Sequence, residues 1–143
     1  MAKIRVLVDV NVILDVLGRR TPFYDDSAKV WYYVETGQVE GFLAAHTITT
    51  LYYLLEKHHT VKSAMHFIGD LLSVFEIAEV NKNTLLQALT LGWTDFEDGV
   101  QVIAAAQNNC HYWVTRDNHL FSNNPIIKIS PIEFIRLIQI RNK

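Results

Sequence analysis

Four aspartates in this chain stand where a divalent metal ion can be held. Asp9 directly follows a short β-branched run, Asp117 comes just after a second such run, and Asp95 and Asp98 open the Ala-rich helical segment between them. Carboxylates that converge repel one another and raise each other's pKa, and a hard cation with oxygen ligands removes this cost. Because no His or Cys stands among these ligands, the pattern indicates Mg²⁺ or Mn²⁺.

A site of this kind has a defined chemistry. A divalent cation polarises a phosphoryl oxygen and activates water for in-line attack, as in metal-dependent nucleases. Each Asp alone has a simpler explanation as a helix cap or turn residue, and Asp95 beside Thr94 is the best candidate for a pure cap. Their joint occurrence favours a catalytic site built on Asp9, Asp98 and Asp117, with Asp95 as a further metal ligand.

The elements that must position these side chains alternate along the sequence. Strands are predicted over residues 4–8, 41–45, 74–77, 111–115 and 126–129, with helical patterns between them. Such alternation is typical of a parallel sheet covered by helices. Ligands of open parallel sheets bind beyond the carboxyl ends of the strands. We therefore expect all four aspartates at one edge of the sheet.

Capping residues predict where several helices begin: Thr47, Asn81, Thr94 and Ser130. Thr94 and Ser130 each stand three residues before a Glu, which is the spacing of a capping box. Pro131 then occupies the first helical position, where proline is favoured. The helix that Asn81 opens is predicted to end at Gly92.

Composition limits the class of protein. The 143 residues, half of them hydrophobic, suit a single domain over 1–143. A lone cysteine, Cys110, excludes an internal disulfide and suits a reducing cytoplasm. The uncharged stretch from Gly41 to Leu55 is shorter than the roughly 20 residues of a membrane span, so no membrane insertion is expected. The net charge of −2 counts mildly against a nucleic-acid partner, although bound metal would reverse the sign locally.

Three segments resemble the motifs of one family. Val8–Asp15 looks like the opening motif of PIN-domain nucleases, Asp95–Asp98 with its Ala-rich helix resembles their third acidic motif, and Val114–Asp117 their fourth. The resemblance implies a three-layer α/β/α fold with a five-stranded parallel sheet, and divalent-metal-dependent hydrolysis of RNA phosphodiesters. It also implies an acidic metal pocket that contains Asp9, Asp98 and Asp117.

The same resemblance implies supporting residues and partners. Asn11 would steady Asp9, and Thr115 would position Asp117 or contact substrate. Arg116 lies at the same edge of the sheet, where it can contact phosphate. Small free-standing PIN domains are commonly ribonuclease toxins of the VapC type, dimeric and held inactive by an antitoxin. RNA, an antitoxin protein and a second copy of the chain are therefore the expected partners.

One position departs from the family pattern. The family usually places a Glu on the helix after the second strand, in a pattern such as Thr-x-x-Glu-Leu-Tyr, and Thr50 stands at that Glu position here. Glu56, on the same helix, is about 240° around it from Thr50 and cannot simply substitute. The pocket is therefore expected to lack one carboxylate, for which Asp95 can compensate.

Other residue types are less informative. Asp15 is expected to be a solvated surface residue, and surface positions are also expected for the histidines: His46, His58, His59, His66, His111 and His119. His46 is singled out because it follows the second strand and so is expected near the mouth of the pocket. Aromatic residues at 31–33 and 52–53 predict helix packing or a dimer face.

Two alternative functions stay open. The stronger is a PIN-fold protein with weakened catalysis that serves as an RNA-binding or protein-binding module, which Thr50 favours. A phosphotransfer enzyme or receiver module also gathers acids at strand ends. However, Asp9-Val10-Asn11 lacks the second Asp of such a phosphatase, and no Lys follows a late strand near Asp117.

Overall fold

A five-stranded, all-parallel sheet forms the middle layer of the molecule. The computed structural model describes residues 2–118 and 121–143, so His119 lies outside the described residues. The sheet order is β3-β2-β1-β4-β5, with every neighbouring pair parallel. The strands are β1 (Arg5–Val8), β2 (Glu40–Ala44), β3 (Glu76–Ala78), β4 (Tyr112–Val114) and β5 (Ile127–Ile129).

Helices cover both faces of this sheet. In the described residues they are α1 (Val10–Leu17), α2 (Tyr24–Glu35), α3 (Ala45–His58), α4 (Val61–Val74), α5 (Lys82–Leu91), α6 (Phe96–Gln107) and α7 (Pro131–Arg141). Buried residues of α1, α2, α3, α4 and α7 share one core cluster with the sheet. Buried residues of α6 form the cluster on the opposite face, and α5 packs on α6. The predicted three-layer α/β/α class is confirmed.

Strand β1 lies at the centre of the sheet and is buried on both faces. Val6 and Val8 belong to one core cluster, whereas Leu7 belongs to the other. A near-continuous apolar run is typical of a parallel strand covered on both sides. Asp9 follows the last residue of this strand, so its carboxylate lies at the carboxyl edge of the sheet, next to the core.

The register of β1 and β4 places the site residues side by side. Val8 pairs with Val114, and the backbone N–H of Asp9 donates to the carbonyl oxygen of Val114 at 2.9 Å. Thr115, the residue after Val114, therefore lies beside Asp9. On the other side of β1, strand β2 leads directly into α3, which carries Thr50 near its start.

Local capping signals predicted some helix ends and failed at others. Asn81 and Ser130 cap α5 and α7 through capping boxes, and Gly92 ends α5 in the left-handed conformation that glycine favours. Thr47 was wrongly predicted as a cap. The N-cap of α3 is Ala44, because the helix continues straight from β2 and buries Thr47 inside it.

The predicted capping box of Thr94 and Glu97 is also wrong. Asp95, one residue later, is the N-cap of α6, and its carboxylate accepts from the backbone N–H of Asp98 at 3.0 Å. Thr94 and Asp95 are adjacent cap candidates, and the Asp95 side chain is an anion that the helix N-terminus favours, whereas the Thr94 hydroxyl is neutral. Strand β3 begins at Glu76 rather than at residue 74, because α4 extends through Val74.

Surface features agree with several expectations. His58, His59, His66 and His111 are exposed. Among residues 2–118 and 121–143, no helix is both long and apolar enough to span a bilayer.

Candidate active site

Asp9 forms the buried floor of an acidic pocket at the carboxyl edge of the sheet. Its side chain is 4% exposed. Oδ2 accepts from Thr115 Oγ1 at 3.1 Å and more weakly from Asn11 Nδ2 at 3.5 Å, while Oδ1 accepts from Gln101 Nε2 at 3.3 Å. Burial raises the pKa of Asp9, and these donors oppose the increase. Although Asp9 precedes α1 as its N-cap residue, its side chain makes no capping bond, so capping does not explain it.

Asp98 faces Asp9 from the first turn of α6. Gln101 Nε2 donates to Asp98 Oδ1 at 3.3 Å as well as to Asp9, so one amide joins the two carboxylates. The pKa of Asp98 is raised to about 7, first by burial and then by the negative charges of Asp95, Asp9 and Asp117. Asp9 and Asp98 are thus brought together through Gln101, and Asp95 and Asp117 lie near enough for their charges to act on Asp98.

Asp95 and Asp117 are connected to this site in different ways. Asp95 is exposed and caps α6 through Oδ1, as expected for the best cap candidate of the four. The backbone N–H of Asp117 donates to Thr115 Oγ1 at 3.1 Å. Because Thr115 also donates to Asp9 and is only 2% exposed, its hydroxyl ties the loop that carries Asp117 to the floor of the pocket.

Arg116 contacts Asp15, which was wrongly expected at the surface. Asp15 is 0% exposed. It accepts from Arg116 Nε at 2.9 Å, from Arg116 Nη2 at 3.1 Å and from Ser27 Oγ at 3.1 Å. The Arg116 guanidinium also lies 4.0 Å from the ring centre of Phe23. Burial of Asp15 is tolerated because its charge is paired and its oxygens are hydrogen-bonded.

Thr50 lies at the side of the pocket formed by α3. Its hydroxyl contacts the carbonyl oxygen of His46 at 3.2 Å and Glu97 Oε1 at 3.4 Å. Nε2 of His46 stands 3.9 Å from the same Glu97 oxygen. Burial lowers the pKa of His46, and the Glu97 carboxylate opposes that change. His46 is thus beside the acidic helix start, as its position after the second strand suggested.

Sequence reasoning missed Gln101 and assigned Glu97 the wrong role. Gln101 is three residues after Asp98 and shares its helical face, and it is the one polar residue between Val100 and Ala106. That pattern is a usable signal. In the described part of the chain, its Oε1 is buried without a hydrogen-bond partner.

The donor set suits a hard divalent cation. The oxygens come from carboxylates that share one edge, and the mutual repulsion that raises the pKa of Asp98 is what a cation relieves. As they stand in residues 2–118 and 121–143, no three His, Cys, Asp or Glu side chains form a metal-binding group. The carboxylates of Asp9 and Asp98 instead share the Gln101 amide.

Known proteins similar to this chain agree in family and fold. A sequence model of the PIN domain matches residues 5–119. Ribonuclease VapC1 from Aquifex aeolicus (strain VF5) is 28% identical over 123 residues, which cover 82% of this chain and 85% of the relative.

Solved structures resemble it at lower identity. VapBC2 from Rickettsia felis, bound to a DNA fragment from its promoter, gives a TM-score of 0.68 at 12% identity, covering 89% of this chain and 98% of that one. VapC20 from Mycobacterium tuberculosis, a toxin that cleaves the sarcin-ricin loop, gives a TM-score of 0.64 at 14% identity, covering 79% of this chain and 90% of that one. These identities support a shared fold alone.

Proposed function

We propose, from the premise that this chain belongs to the PIN domain family, that it is a divalent-metal-dependent endoribonuclease that hydrolyses RNA phosphodiesters. The observation that carries the proposal is the Gln101 amide, which donates to both Asp9 and Asp98 and so brings two carboxylates together at the carboxyl edge of the sheet. Two carboxylates that share one amide donor at this edge, with the charges of Asp95 and Asp117 nearby, favour a cation site over a set of independent caps. Similarity to a ribonuclease supports the substrate class.

Asp9, Asp98 and Asp117 would hold Mg²⁺ or Mn²⁺, with Asp95 as a further ligand at the rim. The bound cation would supply Lewis acidity and an activated water for in-line attack on phosphorus. Thr115 and Gln101 hold the Asp9 carboxylate in place through hydrogen bonds to its two oxygens. Asn11 adds a weaker bond to the same group. Such outer partners orient metal ligands and tune their basicity.

Protonation of Asp98 competes with cation binding in this proposal. With its pKa raised to about 7 in the metal-free protein, this carboxyl is partly protonated near neutral pH. A cation ligand must be deprotonated, so metal binding releases this proton. We therefore propose that Asp98 is the ligand whose ionisation sets the pH dependence of metal binding.

Arg116 belongs to the support of the site in this proposal. Its guanidinium binds Asp15 and stacks on Phe23. These contacts fix the loop after β4, in which Arg116 stands between Thr115 and Asp117. Contact with a substrate phosphate stays a second possible role, since its side chain is 29% exposed.

We also propose that the protein is the toxin of a type II toxin–antitoxin pair, with an antitoxin protein and a second copy of the chain as partners. The Rickettsia felis neighbour is described as VapBC2 bound to promoter DNA, and a further neighbour as a toxin–antitoxin complex from Klebsiella pneumoniae. Exposed apolar side chains on α3 and α4, including Tyr53, Met65 and Leu72, provide surface for such contacts. The cytoplasm stays the expected setting.

A second candidate is a PIN-fold module that binds RNA or protein with weakened catalysis. Thr50 favours it, because the position that usually supplies a carboxylate from α3 has only a hydroxyl. Fewer anionic ligands mean weaker cation binding.

Cleavage of an end-labelled RNA panel tests the two candidates. The purified protein is incubated with Mn²⁺, with Mg²⁺ and with EDTA, beside Asp9→Asn, Asp98→Asn and the control Asp25→Asn, whose carboxylate is exposed on α2. We expect metal-dependent cutting by the wild type and the control, and none by the pocket variants. Absence of both cutting and metal binding in the wild type would favour the binding module.

A further inference from the structure

Asp117 lies in a loop, yet side chains hold both polar groups of its backbone. Its N–H donates to Thr115 Oγ1 at 3.1 Å, and its carbonyl oxygen accepts from Lys128 Nζ at 2.8 Å. Because Asp117 stands three residues after β4 ends at Val114, it belongs to neither a strand nor a helix. The direction of its carboxylate therefore depends on contacts of this kind.

Lys128 reaches Asp117 from the middle of β5. In the sheet it is aligned with Trp113 of β4. Its Nζ lies over the ring of Phe121, 5.4 Å from the ring centre, and that ring is 5.3 Å from the ring of Trp113. A Lys ammonium within about 6 Å of an aromatic ring centre is attracted to the ring. The Phe121 ring thus helps to keep the ammonium beside the loop.

Trp93 joins this cluster to the segment that leads into α6. Its ring centre lies 4.6 Å from that of Phe121, and its Nε1 donates to the carbonyl oxygen of Ser122 at 2.7 Å. Five residues after Trp93, the first turn of α6 carries Asp98. The segments that bear Asp98 and Asp117 are therefore tied together by contacts outside the acidic site.

Core packing explains only part of this cluster. Trp93 and Phe121 are partly buried against the apolar core on this side of the sheet, as aromatic side chains often are. Packing does not require a partly buried Lys to bind the backbone carbonyl of a residue 11 positions earlier in the chain. The contact between Lys128 and Asp117 therefore points to a role in the loop itself.

We propose that Lys128 is a positioning residue that holds Asp117 toward Asp98. Phe121 and Trp93 in turn hold Lys128. The inference rests on the proposed metal-dependent function and adds residues that lie outside its acidic motifs. In this role Lys128 touches neither the cation nor the RNA. A loop that is fixed before the cation arrives loses less freedom on binding, so the cation is held more tightly.

Calorimetric titration of the purified full chain with Mn²⁺ alone tests this role without relying on activity. Lys128→Met removes the ammonium, Lys128→Arg keeps a cationic donor, and Lys62→Met is the control, which removes an exposed Lys on α4. We expect Lys128→Met to bind Mn²⁺ about 10-fold more weakly, as is typical when a group that orients metal ligands is lost. Lys128→Arg should recover most of this loss, and Lys62→Met should bind like the wild type.

The direction of the change separates positioning from a simple charge effect. Loss of a positive charge near the site would by itself strengthen the binding of a cation, because like charges repel. Weaker binding by Lys128→Met therefore requires that the loop has lost its orientation.

Trp93→Phe tests the support that Lys128 receives. It keeps an aromatic ring against Phe121 but removes the donor to Ser122. Trp31→Phe is the matched control, because Trp31 packs against the other core cluster and loses an equivalent N–H bond, to Glu35. We expect Trp93→Phe to weaken Mn²⁺ binding, by less than the Met variant does since the ring remains, and Trp31→Phe to leave the affinity unchanged.

The outcomes separate this inference from the proposed function. If the wild type binds Mn²⁺ and Lys128→Met binds it equally well or more tightly, the positioning role is refuted and the metal site stands. A Trp93→Phe variant with wild-type affinity refutes the support from Trp93. If the wild type binds no Mn²⁺, both ideas fail. Melting curves in EDTA verify that every variant is folded at the temperature of the titration.

Discussion

The guanidinium of Arg116 holds the fully buried carboxylate of Asp15 by two hydrogen bonds, Nε to Oδ2 at 2.9 Å and Nη2 to Oδ1 at 3.1 Å. The pair joins α1 to the loop that follows β4, where Asp117 stands. We expect Arg116→Met, which keeps most of the stem, to lower the free energy of unfolding by about 3 kcal/mol. The buried Asp15 carboxylate then loses its hydrogen-bonded cation and retains the longer contact with Arg20 Nη1, at 3.9 Å. Urea unfolding measures this change.

Asp15→Asn in the same background provides the control for that prediction. Removing both charges should cost less than the sum of the two single changes, since the two side chains are in direct contact. Strictly additive effects would contradict the coupling between Asp15 and Arg116.

The raised pKa of Asp98 predicts how the stability of the metal-free protein changes with pH. Its pKa is about 7 in the folded state against an ordinary 3.8, so between these values the folded state keeps a proton that the unfolded state has lost. The stabilisation is complete below the lower value and disappears as pH rises through the higher one. In EDTA, Asp98→Asn should therefore melt above the wild type at about pH 8 and close to it at about pH 4.

Scanning calorimetry across this pH range measures the difference in melting temperature between the wild type and Asp98→Asn. The contributions of titrating groups that both proteins contain cancel in this difference. Asp9, whose pKa is raised by burial in the same direction, stays in each. A difference in melting temperature that does not change with pH would refute the assignment.

Gln101 should matter for metal binding more than its neutral side chain suggests. Gln101→Leu removes the amide that joins Asp9 to Asp98, so we expect Mn²⁺ affinity to fall by about 10-fold as the ligands lose their orientation. Gln107→Leu is the matched control, because Gln107 lies on the same helix and contacts Thr84 instead. Equal Mn²⁺ affinity in both variants would show that Gln101 does not position the ligands.

Thr115 should act through its hydroxyl rather than its shape. Thr115→Val keeps the volume and the β-branch but removes the donor to Asp9 and the acceptor for the backbone N–H of Asp117. We expect the free energy of unfolding to fall by about 2 kcal/mol because buried groups lose their partners, and RNA cleavage to slow further than this instability explains. Thr115→Ser should retain both properties, as shown by urea unfolding and initial cleavage rates. A fully active Thr115→Val would contradict a positioning role.

Much of the fold could be read from local signals. The apolar run before Asp9 predicted a strand, Asn81 begins its helix as predicted, and Ser130 forms the predicted capping box. Thr47 and Thr94 misled because a neighbouring feature competed with each: a strand that leads directly into α3, and a stronger cap at Asp95. Capping chemistry is local, but the choice between two adjacent caps depends on packing.

The candidate site was predictable only in its outline. Asp9 follows a strand and Asp98 stands at the start of the helix that precedes the next strand, so the sequence placed both at one edge of a parallel sheet. The burial of Asp15 was not predictable, because its partner Arg116 is 101 residues away. Gln101 likewise contacts Asp9 across 92 residues, and no short-range pattern reports such a distance.

The central position of β1 has a consequence for how the protein matures. Asp9 is made early in synthesis, yet its environment is complete only when Val6–Val8 pair with Tyr112–Val114, a contact between distant parts of the chain that forms slowly in folding. A nascent or truncated chain that lacks β4 holds Asp9 without Thr115 or Asp117 beside it. The RNA cleavage that we propose needs these residues together, so we expect it to begin only after β1 and β4 have paired.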